Sequence, residues 1–347
     1  MHISQDTLFI SCVDARMPID KLLPPNSAVI KRNIAALVPE PEGKGGADML
    51  DTLKYALKQK KIKRIVVMGH TDCGGICACM DQPQGLPKVL EYMSPLNKTR
   101  EEIAQADLDK PRKYRRLEQD GVRKSIENLR RYSVVQEAEA AGLTIEGWLL
   151  DVRDQTIHKG LEKADHPRYL PALEESTLPF PPHMPEALYL GCVEAPESAH
   201  NMFLPGSVLV KRNLGADVPD AASHKDGREE MEATLEFALK AKGIRRILVM
   251  GHKGCDVCAC GQAHDANTPE ALEPWPNERQ ALGETLANLK TYPVVREALA
   301  DKEHPLEMQG MLYDGRTRST YKYDDKSGSL HAGAIQLGLP AERKGRG

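Results

Sequence analysis

Two cysteines and a histidine stand out early in the chain: Cys12, then His70 and Cys73 in the run Gly69-His-Thr-Asp-Cys73. Ligands of this softness suit zinc, and three protein ligands leave a fourth position to water, as in a catalytic rather than a closed structural site. The trio recurs as Cys192, His252 and Cys255. The intervals are 58 and 3 residues in the first set and 60 and 3 in the second. Ordinary burial accounts for a lone cysteine. A repeated Cys, His, Cys set implies Zn2+, one ion per set and two per chain.

Just after Cys12 come Asp14 and Arg16, in Cys12-Val-Asp-Ala-Arg16. A carboxylate fixed by an arginine can orient a nucleophile made at a metal. An exposed salt bridge worth about 0 to 1 kcal/mol has the same spacing, which alone does not choose between the two. The second set reads Cys192-Val-Glu-Ala-Pro196, so Glu194 replaces the aspartate and Pro196 the arginine. Proline brings no side-chain donor. Glu194, one methylene longer, is a possible extra zinc ligand, and Cys255-Asp-Val replaces Cys73-Gly-Gly. The second set is expected to bind zinc and to be catalytically weak or silent.

The elements that position these residues are written twice. Ser27 to Pro39 reappears as Ser207 to Pro219 at an offset of 180, and Met49 to Cys73 as Met231 to Cys255 at an offset of 182. Ser125 to Val135 matches Thr285 to Val295 at an offset of 160, so the second copy is about 22 residues shorter before this block. Within copy one, Thr7 to Val13, Ser27 to Lys31 and Arg64 to Met68 read as buried strands. Ala47 to Lys60 has the apolar spacing of one helical face. Ser125 to Ala141 reads as a helix, and Leu143 to Val152 as a strand pair or a long edge strand. The alternation predicts an α/β fold whose two repeats each have a mostly parallel sheet flanked by helices. In such sheets ligands gather beyond the carboxyl ends of the strands, where Cys12 and His70 fall.

The expected division is a catalytic repeat over 1–173, a Pro-rich linker over 174–185, a second, degenerate zinc-binding repeat over 186–326 and a C-terminal tail over 327–347. Cys77, Cys79, Cys258 and Cys260 are expected to pack rather than bind a second metal, since i, i+2 residues on a helix do not face each other. Trp148 is expected in the core. His158, His166, His183, His200, His264 and His304 lie in polar or irregular segments and carry no expected role.

Cys12-Val-Asp-Ala-Arg16, Lys31-Arg-Asn33 with Val38-Pro39, and Gly69-His-Thr-Asp-Cys-Gly-Gly75 resemble the signatures of the β-class carbonic anhydrases. Ser125-Ile-Glu-Asn-Leu and Gly147-Trp-Leu-Leu-Asp151 resemble that family's later helix and final strand. The resemblance implies a zinc enzyme interconverting carbon dioxide and bicarbonate, with Cys12, His70 and Cys73 as ligands and Asp14 with Arg16 as the orienting dyad. It also implies a tight dimer with its sites near the interface, so the duplicated chain would fold as an intramolecular pseudo-dimer and its copies could assemble further. The sequence departs from the family at Ala15, usually Ser, and at Ile34-Ala35-Ala36, usually Ala-Gly-Asn. Other readings are hydrolysis of carbon disulfide or carbonyl sulfide, or a non-catalytic zinc and bicarbonate-binding module.

Composition is consistent with this. Counted with Gly and without Tyr, about 46% of the 347 residues are apolar, within the roughly 45 to 50% of soluble globular chains. With 47 basic and 50 acidic side chains the net charge is −3, so no overall field favours nucleic acid or an anionic membrane. No apolar run approaches the roughly 18 residues of a membrane span, and the first 15 residues lack the features of a signal peptide. A cytoplasmic location is expected.

Overall fold

Short blocks of β-branched and apolar residues build the sheet. The computed structural model describes residues 7–14, 16–17, 19, 28–163, 185–195, 202–203, 206–223, 227–257 and 276–333. Ala15, Pro196, Cys258, Cys260, His166, His183, His200, His264, most of the proline-rich linker and the tail from residue 334 lie outside the described residues.

In the first repeat the strands are β1 (Thr7–Cys12), β2 (Ala28–Asn33), β3 (Arg64–His70), β4 (Thr144–Leu150) and β5 (Ile157–Lys159). The helices are α1 (Gly46–Lys54), α2 (Gly74–Asp81), α3 (Pro87–Tyr92), α4 (Asn97–Gln105), α5 (Lys110–Leu129) and α6 (Ser133–Ala140). In the second they are β6 (Ala187–Cys192), β7 (Val208–Asn213), α7 (Arg228–Glu236), β8 (Arg246–His252), α8 (Pro276–Leu289), α9 (Pro293–Ala300), β9 (Glu307–Asp314), β10 (Ser319–Tyr323) and β11 (Leu330–Ala332).

All these strands form one 11-stranded sheet, ordered β11-β10-β9-β8-β6-β7-β2-β1-β3-β4-β5. Outward from the centre, β2-β1-β3-β4 and β7-β6-β8-β9 have the same order and are parallel within each half. The halves join where β2 meets β7 antiparallel, with Arg32 opposite Arg212. Both faces are covered: every residue of β1 and β6 is buried, as the apolar runs require.

Three expectations about elements change. The helix expected over Ala47 to Lys60 is α-helical to Lys54 and then widens into a π-helical turn, Tyr55–Gln59, repeated as Phe237–Ala241. Ser125 to Ala141 is two helices, because Tyr132 is extended and anchors its hydroxyl on the Pro39 carbonyl at 2.9 Å. Thr144–Leu150 is not an edge strand; it lies between β3 and β5. The start of the expected tail contributes β11, which pairs with β10. Trp148 is a core residue, edge-on to Phe9 with centroids 5.8 Å apart. Of the packing cysteines among the described residues, Cys79 is buried and Cys77 only half-buried. No helix of the described residues is long and apolar enough to cross a membrane.

Candidate metal centres

Parallel pairing of β1 and β3 puts their carboxyl ends side by side, so Cys12 and His70 arrive on one rim of the sheet. Cys73 follows as the N-cap of α2. All three side chains are buried and their ligand atoms lie within 4.8 Å of one another. The Sγ atoms are 3.9 Å apart. A tetrahedral ion with bonds of about 2.3 Å to sulfur sets that separation near 3.8 Å. His70 Nδ1 is 2.8 Å from the Thr71 carbonyl, which leaves Nε2 as the ligand atom. That Nε2 is buried without a hydrogen-bond partner, a cost a metal would remove. The donor set therefore fits zinc.

Electrostatics within the trio favour one ionised thiol. Burial opposes ionisation of Cys12, but the Cys73 thiol and the His70 ring outweigh it and hold Cys12 well below the usual thiol range. His70 is also opposed by burial, yet the Cys12 thiolate lifts it to about 9.

Asp14 and Arg16 form a gripped pair beside this trio. The Arg16 amide and Nε donate to Asp14 Oδ1 at 2.9 and 3.1 Å, and Nε and Nη2 donate to Oδ2 at 3.0 and 2.6 Å. Arg16 Nη2 is also 2.9 Å from the Asp72 carbonyl, which ties the β1 loop to the one after β3. Asp14 is buried, and its Oδ2 is 3.9 Å from His70 Nε2. This is no exposed surface ion pair.

The motifs do not assign the residues that hold this arrangement. Arg32, fully buried, donates to the carbonyls of Cys12, Asp14 and Met17 at 3.4, 3.3 and 2.9 Å and so fixes the dyad loop. Glu118 on α5 accepts from the Cys73 amide at 3.3 Å and from Arg115 Nη1 at 2.6 Å. Arg115 reaches on to Asp72 Oδ1 at 2.9 Å. Thr71 donates to Asp151 at 3.2 Å and accepts from the Val152 amide at 3.0 Å, locking the loop to the end of β4. The available signal was repetition: Lys-Arg-Asn occurs in both copies, and Glu118 corresponds to Glu278.

The second trio repeats the first. Cys192, His252 and Cys255 are buried and clustered, with Sγ atoms 3.7 Å apart and a buried His252 Nε2 that has no hydrogen-bond partner. A cavity of about 10 Å³, the size of one water, is lined in part by Cys192, His252, Cys255, Glu278 and Thr285. Glu278 accepts from the Gly254 amide at 3.2 Å. Glu194 is not among the clustered ligand atoms; its carboxylate pairs with Lys60 of the first repeat. Position 196 supplies no side-chain donor, and the carboxylate's partner comes instead from the other repeat.

Each repeat places the end of its π-helical turn at the other's centre. Lys60 also donates to Asp256 at 2.7 Å, just after Cys255. At the first centre, a Cβ on Gly74 would meet Phe237 Cζ at 2.8 Å and Lys242 Nζ at 3.6 Å. That contact accounts for glycine directly after Cys73.

Comparison with known proteins finds a family. A sequence model described as carbonic anhydrase matches residues 7–157 and 187–284. Among curated proteins, β-carbonic anhydrase 6, mitochondrial, of Arabidopsis thaliana is 29% identical over 175 residues, covering 48% of this chain and 60% of that protein. A carbonic anhydrase of Emericella nidulans is 28% identical over 162 residues, covering 44% of this chain and 67% of that protein. The match thus spans about 60% of the length of the Arabidopsis relative. A solved structure of tetrameric β-carbonic anhydrases from Sordaria macrospora aligns with a TM-score of 0.41 at 25% identity, covering 46% of this chain and 81% of that one. With the family model matching both repeats, the chain belongs to the β-carbonic anhydrase family.

Proposed function

We propose that the chain is a zinc carbonic anhydrase that interconverts carbon dioxide and bicarbonate, with turnover carried by the first repeat. The observation that supports this is the buried Cys12, His70, Cys73 trio with the Arg16-held carboxylate of Asp14 beside His70 Nε2.

Zinc held by this trio would supply a water of lowered pKa as a nucleophile near neutral pH. The protein's part is orientation. Arg16 holds both Asp14 oxygens and so fixes the carboxylate beside His70 Nε2, where it would orient a water at the metal. Arg32 and the Asp72 carbonyl keep that loop in place, so the acceptor is set before substrate arrives. Phe237, from the second repeat, packs beside Gly74 and adds an apolar surface next to Cys73.

The second repeat is read as the lesser site and as a partner for the first. Its trio is complete, but its carboxylate is held by a single lysine rather than a planar fork, and a point charge fixes orientation less well. The shared sheet supports reading the two repeats as an intramolecular pseudo-dimer.

Stopped-flow hydration of carbon dioxide, with zinc counted per chain, tests the proposal. Two zincs, and activity abolished by Asp14→Ala, is the expected result. An inactive wild-type chain carrying two zincs would overturn it.

A further inference from the structure

We infer that Lys60 of the first repeat holds Glu194 off the second metal centre, leaving that centre's fourth position open to water or a small anion. This rests on reading Cys192, His252 and Cys255 as a metal site.

Glu194 lies two residues after the ligand Cys192, and its amide is 3.5 Å from Cys192 Sγ. Its side chain is largely buried, 13% exposed, so a bare carboxylate there would need a cation. Two cations compete: a zinc ion in the trio, which the flexible glutamate could reach as a fourth ligand, and the Lys60 ammonium. Lys60 Nζ takes the carboxylate and is steadied on its other side by Asp256 Oδ2 at 2.7 Å. The π-helical turn Tyr55–Gln59 ends next to Lys60, and the Lys60 Nζ also sits 5.4 Å from the Tyr55 ring centroid. The lysine is thus held from three sides.

The first centre has no such need. Lys242 is the repeat counterpart of Lys60, but Asp14 is shorter and Arg16 already holds both its oxygens. Position 74 is glycine where the second repeat has Asp256, so Lys242 has no matching carboxylate there. The lysine clamp is thus specific to the centre whose own arginine position holds Pro196.

The test uses the full chain carrying Cys12→Ala, so that the second trio is the only complete one, loaded with cobalt(II) and probed with azide. The expected result is one cobalt per chain and an azide-dependent change in the visible spectrum. Adding Lys60→Ala should keep the cobalt, abolish the azide response and slow chelator removal about tenfold, as Glu194 becomes the fourth ligand. Lys60→Arg should restore the azide response. An unchanged azide response in Lys60→Ala with cobalt retained would overturn the clamp, as would loss of cobalt from that variant alone. A Cys12→Ala chain that binds no cobalt, while the wild type binds one, would overturn the metal reading of the second repeat and the clamp with it.

Discussion

Arg32 and Arg212 occupy equivalent positions in the two copies and are each other's partners across the β2–β7 pairing. The axis relating the repeats therefore passes between them. Each guanidinium also turns inward to its own metal-site loop: Arg32 to the carbonyls of Cys12, Asp14 and Met17, and Arg212 Nη1 to the Ala195 carbonyl at 3.5 Å. The seam and the two loops are thus built by the same pair of side chains.

Arg32→Met should therefore damage the dyad loop more than the trio. Carbonyls left buried without donors cost about 1 to 3 kcal/mol each, so a stability loss of about 3 kcal/mol is expected. Hydration activity should fall well before zinc is lost. Denaturant unfolding and zinc counting on the same preparation check this; full activity in the variant would contradict it.

Asp14→Asn keeps the side chain's shape but removes the charge that Arg16 grips and that orients a water. A fall in turnover of about 10² to 10³ is expected, with zinc content unchanged. Stopped-flow assay beside metal analysis measures both.

Glu118→Gln should loosen the first centre from outside. The glutamate ties the Cys73 amide to Arg115, and the amide side chain would leave a buried guanidinium short of its counter-ion. Zinc affinity at that centre should drop about 10- to 100-fold, as for other outer partners of ligands. Competition with a chromophoric chelator reads this directly.

Ala35 adopts φ 58° and ψ 15°, a left-handed conformation that costs an L residue with a Cβ about 1 to 2 kcal/mol. Its counterpart Gly215 has φ 63° and no such cost. Ala35→Gly should raise stability by about 0.5 to 1 kcal/mol, the relief being partly offset by unfolded-chain entropy. Thermal unfolding measures the shift, and a lower midpoint would refute it.

Asp48 sets a pH dependence at the seam. Burial raises its pKa, but the charges of Lys31 and Lys211 outweigh that and hold it below the usual carboxylate range. Lys31 Nζ lies 2.5 Å from Asp48 Oδ2. Because the folded value is depressed, the unfolded chain binds more protons between the two values. The stabilisation is thus full above about pH 4 to 5 and is lost as pH falls through the folded value. Asp48→Asn should lower stability at pH 7 and flatten the acid limb of the stability profile.

Much of the site could be read from the chain because its chemistry is local in sequence. Cys12 with Asp14 and Arg16, and His70 with Cys73, each fall within a run of five residues or fewer at a strand's carboxyl end, and duplication printed the ligand pattern twice. What could not be read was tertiary. Nothing near Glu194 in sequence points to Lys60, because they meet only where two repeats pack. Nothing around Glu118 shows that its carboxylate reaches the Cys73 amide from a helix 45 residues on. The helix expected over Ser125 to Ala141 failed for a related reason: Tyr132 is fixed by a carbonyl far back in the chain, which local periodicity does not register.

The single continuous sheet has a consequence for how this protein can change. When two identical chains pair, every substitution is written twice, and an improvement at one site is imposed on its twin. Here the two sides of the seam are encoded separately. Lys60 can serve Glu194 while its counterpart Lys242 meets Gly74 where the other centre has Asp256, and Arg16 can persist in one copy while Pro196 stands at its counterpart in the other. Encoding both sides in one chain lets the halves specialise independently while their strands remain parts of one sheet.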